Sequence, residues 1–303
     1  MWNPLVFRKL TKSWNIDQLL PFALSFYMDF EKEFNITLIK NYKIARLFSS
    51  VQDQNNWTAA CNDPEFKNYA SNEKLVDIEQ APVNINNSYG VVQKTGRIDL
   101  PLLMNTYRNH LLKHNKYYAR RVRYNEIQTQ QNKVKIEDMV FDHLVFCEGH
   151  QHFNNPWFIK EKIQNNKGEL LTIHAPELKL KNVINKGFFL LPVGEDMYKL
   201  GATFSVKETN YDTTENARQN LIEKLEKVLA CPYKIVDQQA GIRPTVHDRR
   251  PVIGLHREYP QLGIFNGMGT KAVSIVPLMA EKYANHLLLN EDLPNEVKIN
   301  RFN

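Results

Sequence analysis

Two glycine-punctuated segments near the C-terminal end constrain the fold of this chain most. The first is Ala240-Gly-Ile-Arg-Pro-Thr-Val-His-Asp-Arg-Arg-Pro-Val-Ile-Gly254, and the second is Phe265-Asn-Gly-Met-Gly-Thr-Lys-Ala272. A short strand over Leu262 to Phe265 runs into the Gly-Met-Gly turn, and the pattern from Val273 to Leu289 predicts a helix with Pro277 in its first turns. Paired glycines let a backbone approach another group closely, and a helix N-terminus offers free N–H groups and positive dipole. A strand, a tight turn and a helix in that order can cradle an electron-rich group, and are equally a common connection in a mixed α/β fold.

The rest of the chain reads as strands mixed with helices. Asp17 caps a predicted helix to Phe34, with Leu19, Leu20, Ala23, Phe26, Tyr27 and Phe30 near one face. The stretches Thr37–Lys40 and Lys43–Phe48 read as two strands around Asn41, Ala59 to Tyr69 and Asn72 to Glu79 as short helices, and Gly90 to Gly96 as a crossing segment. Asp99 starts a helix to about His114 with Pro101 in its first turn. Strands are predicted over Asn125–Gln130, Lys133–Ile136, His143–Cys147, Lys167–His174, Gly187–Pro192 and Tyr198–Phe204. Thr214 opens an amphipathic helix whose stripe is Ala217, Leu221, Leu225, Val228 and Leu229.

A length of 303 residues allows two domains with separate cores. No apolar run reaches the length of a membrane span, and Met1 to Leu10 lacks the layout of a signal peptide. Cys61, Cys147 and Cys231 are far apart and form no CxxC pair, so neither a zinc site nor a disulfide framework is indicated, and a reducing cytoplasm is the expected compartment. The formal charge of +6 is densest at Arg120-Arg-Val-Arg123, beside Tyr117, Tyr118 and Tyr124. That cluster reads as a solvated turn; no zinc-finger, RRM or helix-turn-helix pattern points to nucleic acid.

The two C-terminal segments resemble the signature of the D-amino-acid-oxidase-like family of FAD-dependent oxidoreductases. Asn3-Pro4 with Arg8, Lys12, Ser13 and Trp14 resembles the family loop that lies against the diphosphate or flavin. Asp142-His-Leu-Val-Phe-Cys-Glu-Gly149 resembles a strand ending in a glycine close to the cofactor. Asn166 to Glu169 and Leu200 to Thr203 resemble the start and a central turn of the substrate-domain sheet. The resemblance implies an FAD-binding Rossmann-like domain interleaved with an antiparallel-sheet substrate domain. Residues 1–24, 95–155 and 239–303 would form the first, and 25–94 and 156–238 the second.

The resemblance also implies FAD as cofactor, a small amine or amino acid as substrate, and hydride transfer from a C–N bond. Asn3, Pro4, Gly149, Gly267, Met268, Gly269, Thr270 and Lys271 would contact FAD; no metal is called for. Ala272 stands where relatives often have glycine, which bears on the shape of the turn. Arg243, a planar and always-charged fork, suits a substrate carboxylate, and the family gives this arginine that role. Arg243 can also pair with Asp248 and merely fasten the loop. Phe189 stands where amino-acid oxidases of the family have a substrate-holding tyrosine, and phenylalanine cannot donate that bond. Tyr198 could replace it or pack in the core. His247 and His256 read as loop residues, and Glu148 as a strand-end residue.

No Gly-x-Gly-x-x-Gly occurs in the chain, although the family fold opens with such a unit. The expectation is a nucleotide-binding domain incomplete at its N-terminal side, with unpaired strand edges and an uncovered apolar face. Two alternatives to an amine oxidase stand beside this reading. One is a truncated or degenerate relative acting as an interaction module; the other is an oxidase that modifies the wobble uridine of tRNA, an activity the family also contains.

Overall fold

A computed structural model describes residues 1–158, 162–206 and 209–302. Strands β1 (Leu5–Val6) and β2 (Thr11–Lys12) lead into helix α1 (Ile16–Phe34). Strand β3 (Ile39–Leu47) is followed by α2 (Val51–Ala60), α3 (Pro64–Lys67), β4 (Ala70–Ser71), α4 (Val76–Gln80) and β5 (Tyr89–Ile98). Helix α5 (Leu100–Lys113) precedes β6 (Ile127–Gln130), β7 (Lys133–Ile136), β8 (Met139–Phe141) and β9 (Leu144–Phe146). Strands β10 (Ile163–His174), β11 (Val183–Asn185), β12 (Phe189–Gly194) and β13 (Met197–Gly201) come before α6 (Glu215–Glu226). Strands β14 (Lys234–Val246), β15 (Val252–Leu255) and β16 (Leu262–Asn266) and helix α7 (Ala272–Leu289) follow. No helix among the described residues is long and apolar enough to cross a membrane.

The chain divides into two compact units. One holds Met1–Gln18, Ile39–Ile98 and Asn166–Ile242; the other holds Leu19–Leu38, Asp99–Asn165 and Arg243–Asn303.

The first unit is built on an eight-stranded sheet in the order β14-β10-β13-β12-β11-β3-β5-β4, antiparallel at most joins and parallel between β11 and β3. Helix α6 covers it. Thr214 caps that helix by accepting the Ala217 N–H at 3.2 Å, and Leu221 and Leu225 enter one apolar cluster with Leu171, Ile173, Leu190, Tyr198 and Leu200. Each leucine so buried contributes about 1.5–3 kcal/mol relative to exposure. Tyr198 is therefore a packing residue, 3% exposed. The two strands expected around Asn41 are one strand, β3, whose register against β5 shifts between Tyr42 and Ile44. The bulge breaks the alternation that marks a continuous strand. The segment expected only to cross, Gly90 to Gly96, is the body of β5.

The second unit contains two small sheets. In the first, β16 pairs with β9 in parallel and with β15 antiparallel, so β9 and β15 are its edges. The other is the meander β6-β7-β8, where Gln131 and Asn132 both adopt positive φ (47° and 62°), as a two-residue hairpin turn requires. Val134 and Ile136 of the meander pack with Phe146, Leu262 and Ile264 of the parallel pair. Tyr283 of α7 donates to the carbonyl of Gly254 at 3.0 Å, and its hydroxyl fills the space a side chain at Gly263 would need. Helix α5 carries no buried residue, and Leu102, Met104, Tyr107 and Leu112 are exposed on it.

Candidate functional site

Strand β9 ends at Phe146, and three residues on Gly149 takes φ +59° and opens a short 3-10 segment to Asn154. A side chain there would meet no atom within 4 Å, so the glycine serves the backbone conformation and leaves that side open. The carbonyl of Gly149 accepts the side-chain N–H of Asn266 at 2.8 Å and faces Nδ1 of His152 at 3.2 Å. His152 is 3% exposed, and burial pushes its pKa down. Glu148, expected as a strand-end residue, is fastened from both sides. The Tyr124 hydroxyl donates to it at 2.5 Å and the Asn155 amide at 2.8 Å. Burial and the Glu148 charge raise the Tyr124 phenol well above its ordinary value.

The second turn follows β16. Gly267 and Gly269 have φ of +77° and +58°, and residues Gly269–Lys271 form a 3-10 turn that runs directly into α7. A methyl group at Gly267 would come within 2.7 Å of Val246 Cγ2, whereas at Gly269 nothing lies nearer than 3.7 Å. Ala272 is an ordinary right-handed helical residue (φ −48°, ψ −42°), so alanine in place of glycine does not disturb the turn. No side chain caps the N-terminus of α7. Lys271 stands at that end, and burial first, then nearby Arg249, lowers its pKa from 10.5 to about 8.

A lysine whose folded pKa is depressed binds fewer protons folded than unfolded between about pH 8 and 10.5, so stability rises with pH across that window. The penalty for the half-buried ammonium is fully present below it. Lys271→Met is expected to flatten this rise, read as the urea midpoint of variant and wild type at several pH values. An unchanged rise would place Lys271 in water.

Arg243 lies in β14, half-buried. It has no hydrogen-bond or ion-pair partner among the described residues, and burial lowers its pKa. The acid that could have fastened it is engaged elsewhere. Asp248 accepts from Arg301 at 3.0 and 3.3 Å and from the Arg250 amide at 3.1 Å. Burial works against that carboxylate, yet Arg301 and the amide hold it below its usual range.

Asn3 and Pro4 belong to the other unit. There Asn3 Oδ1 accepts the Leu5 N–H at 3.0 Å, and the Pro4 carbonyl accepts the Ser13 N–H at 2.8 Å, shaping the β1–β2 hairpin. Phe189, in the same unit, sits 6.0 Å from the ring of Phe7. His256 Nδ1 accepts two backbone N–H groups, from Glu258 and Tyr259, and the His247 ring lies tilted 5.0 Å from that of Phe302. Both are loop residues, as expected.

The second unit thus brings Gly149 and Gly267–Lys271 to one place through Asn266. Sequence reasoning missed Asn266, His152 and Asn155. The signal available was a polar residue ending the apolar run Leu262 to Phe265. The donor set fits the electron-rich end of a flavin: an uncapped helix N-terminus, a half-buried ammonium, and two open left-handed glycines.

A family model of FAD dependent oxidoreductases matches residues 18–286. The chain belongs to that family, and FAD is the cofactor that goes with membership. Among solved structures it is similar to glycine oxidase from Geobacillus kaustophilus, with a TM-score of 0.75 at 14% identity over 91% of this chain and 78% of that one. It is also similar to L-amino acid deaminase from Proteus vulgaris, with a TM-score of 0.74 at 14% identity over 97% and 86%. These likenesses establish the fold. Among curated proteins, the tRNA 5-methylaminomethyl-2-thiouridine biosynthesis bifunctional protein MnmC of Psychrobacter cryohalolentis is 30% identical over 101 residues, 31% of this chain and 14% of that protein. The chain thus matches only a small part of that relative's length.

Proposed function

We propose that this protein oxidises a C–N bond of an amine or amino acid that carries a carboxylate, with Arg243 as the anchor for that carboxylate. The observation that carries the reading is a half-buried guanidinium with no anion among the described residues, in a member of the FAD-dependent family. A desolvated, unpaired guanidinium is costly unless a ligand supplies the charge it lacks. FAD, when bound, supplies the two-electron acceptor, and the oxidised substrate leaves as an imine that water hydrolyses. Gly149 and the turn Gly267–Met268–Gly269–Thr270–Lys271 would hold the flavin. Lys271 and the N-terminus of α7 would favour negative charge on it. The second unit is then the cofactor part and the antiparallel sheet the substrate part.

The test is anaerobic mixing of the FAD-supplemented chain with amino acids and with their methyl esters. Acids are expected to bleach the flavin and esters to leave it yellow. Equal bleaching by esters would remove Arg243 from the carboxylate role.

The match to a tRNA-modifying protein favours a second reading, in which the amine is carried on a wobble uridine. Arg121 and Arg123 would then contribute to binding RNA. Bleaching by a modified tRNA, and not by free amino acids, would select that reading.

A further inference from the structure

We propose that Asn266 is a positioning residue that sets the two glycine turns against each other, an inference that rests on the cofactor reading above. The parallel ladder between β16 and β9 ends at the pair Ile264 and Phe146. Beyond that pair no backbone ladder joins the two turns, which lie 117 residues apart in the chain. The side chain of Asn266, 3% exposed, spans the gap. Its Nδ2 donates to the Gly149 carbonyl at 2.8 Å, and its Oδ1 accepts the Gly267 N–H at 2.7 Å.

A neutral amide provides a donor for one turn and an acceptor for the other from two separate atoms of a single short side chain. Aspartate keeps the acceptor for Gly267 and turns a second acceptor toward the Gly149 carbonyl. Alanine supplies neither and leaves both groups unsatisfied in a buried place. His152 meets the same carbonyl from within its own turn. The peptide plane after Gly149 is therefore held by two side chains, one local and one from β16. Both glycines need φ near +60° to +80°, a conformation with no side chain of its own to stabilise it, so their mutual setting falls to Asn266.

The experiment uses the full chain as Asn266→Asp and Asn266→Ala. Two quantities are read: the FAD dissociation constant by flavin fluorescence, and amide exchange by mass spectrometry over segments 148–152 and 266–271. Asn266→Asp is expected to weaken FAD binding about tenfold and to lose protection at 148–152 while keeping it at Gly267. Asn266→Ala loses protection in both segments. A merely structural asparagine would lower the melting temperature without FAD and leave the FAD affinity of the folded variant unchanged. Wild-type FAD affinity together with wild-type exchange at 148–152 in both variants overturns the proposal. If the wild-type chain binds no FAD, the cofactor reading is what fails, and the exchange pattern alone still decides whether Asn266 couples the turns.

Discussion

Arg243→Met is expected to raise KM for a carboxylate substrate by about 10²–10³-fold and, in the same protein, to raise the melting temperature. The first effect follows from losing a bidentate, charge-assisted pair with the substrate, where each hydrogen bond to a charged group contributes about 1.5–3 kcal/mol. The second follows from the free protein, in which Arg243 has no partner among the described residues and burial already disfavours its charge. Removing an unpaired, half-buried charge and keeping the apolar stem relieves a cost, in the usual exchange of stability for function. Arg243→Lys keeps the charge and loses the fork, so an intermediate KM is expected. Steady-state kinetics and a thermal melt decide together. A drop in stability with KM unchanged would make Arg243 a strand fastener.

A second large effect is expected far from any cofactor. Glu169→Ala should destabilise the protein by about 3–5 kcal/mol, because it removes one side of a buried charged network. Glu169 is 2% exposed and Lys167 1%, with Nζ and Oε1 3.8 Å apart. The carboxylate also accepts the Thr214 N–H at 2.8 Å, the Thr214 hydroxyl at 2.9 Å and the Gln238 amide at 2.9 Å. Thr214 is the cap of α6, so the loss reaches the helix that covers the sheet. The double variant Lys167→Met with Glu169→Leu should recover only the part of the loss due to the unpaired Lys167 charge, since Thr214 and Gln238 still lose their acceptor. Urea denaturation measures both. A single-variant loss below about 1 kcal/mol would mean that water already reaches the pair.

The sequence made the helices visible and hid several strands, for one physical reason. Helices α1, α5, α6 and α7 carry caps, prolines in the first turn or a stripe, all local signals. Strand β14 lies at the sheet edge, and its residues from Lys234 to Pro244 are exposed or half-buried without alternation, so it leaves no periodic trace. Strand β15 is only Val252–Leu255, between a proline loop and a turn. Strand β8 was hidden because its residues are largely exposed.

The site divides the same way. Gly149, Gly267 and Gly269 were legible because their backbone conformation is written into residue type. That Asp248 would choose Arg301, 53 residues on, and leave Arg243 without a partner was not legible, because it depends on where the chain end packs. The polar residues Asn266, His152 and Asn155 gain their meaning only from partners brought close by β9 and β16. Helix α5 shows the limit of a local signal: a well-capped helix in sequence, with no buried residue in the fold.

The most direct test of the central claim is the visible spectrum of the purified chain after incubation with FAD and removal of the free flavin, followed by anaerobic addition of an amine or amino acid. A retained flavin band that bleaches on that addition is the predicted result. A chain that retains no flavin, or retains one that no C–N substrate reduces, contradicts the account and leaves a protein of the family fold that works as an interaction module.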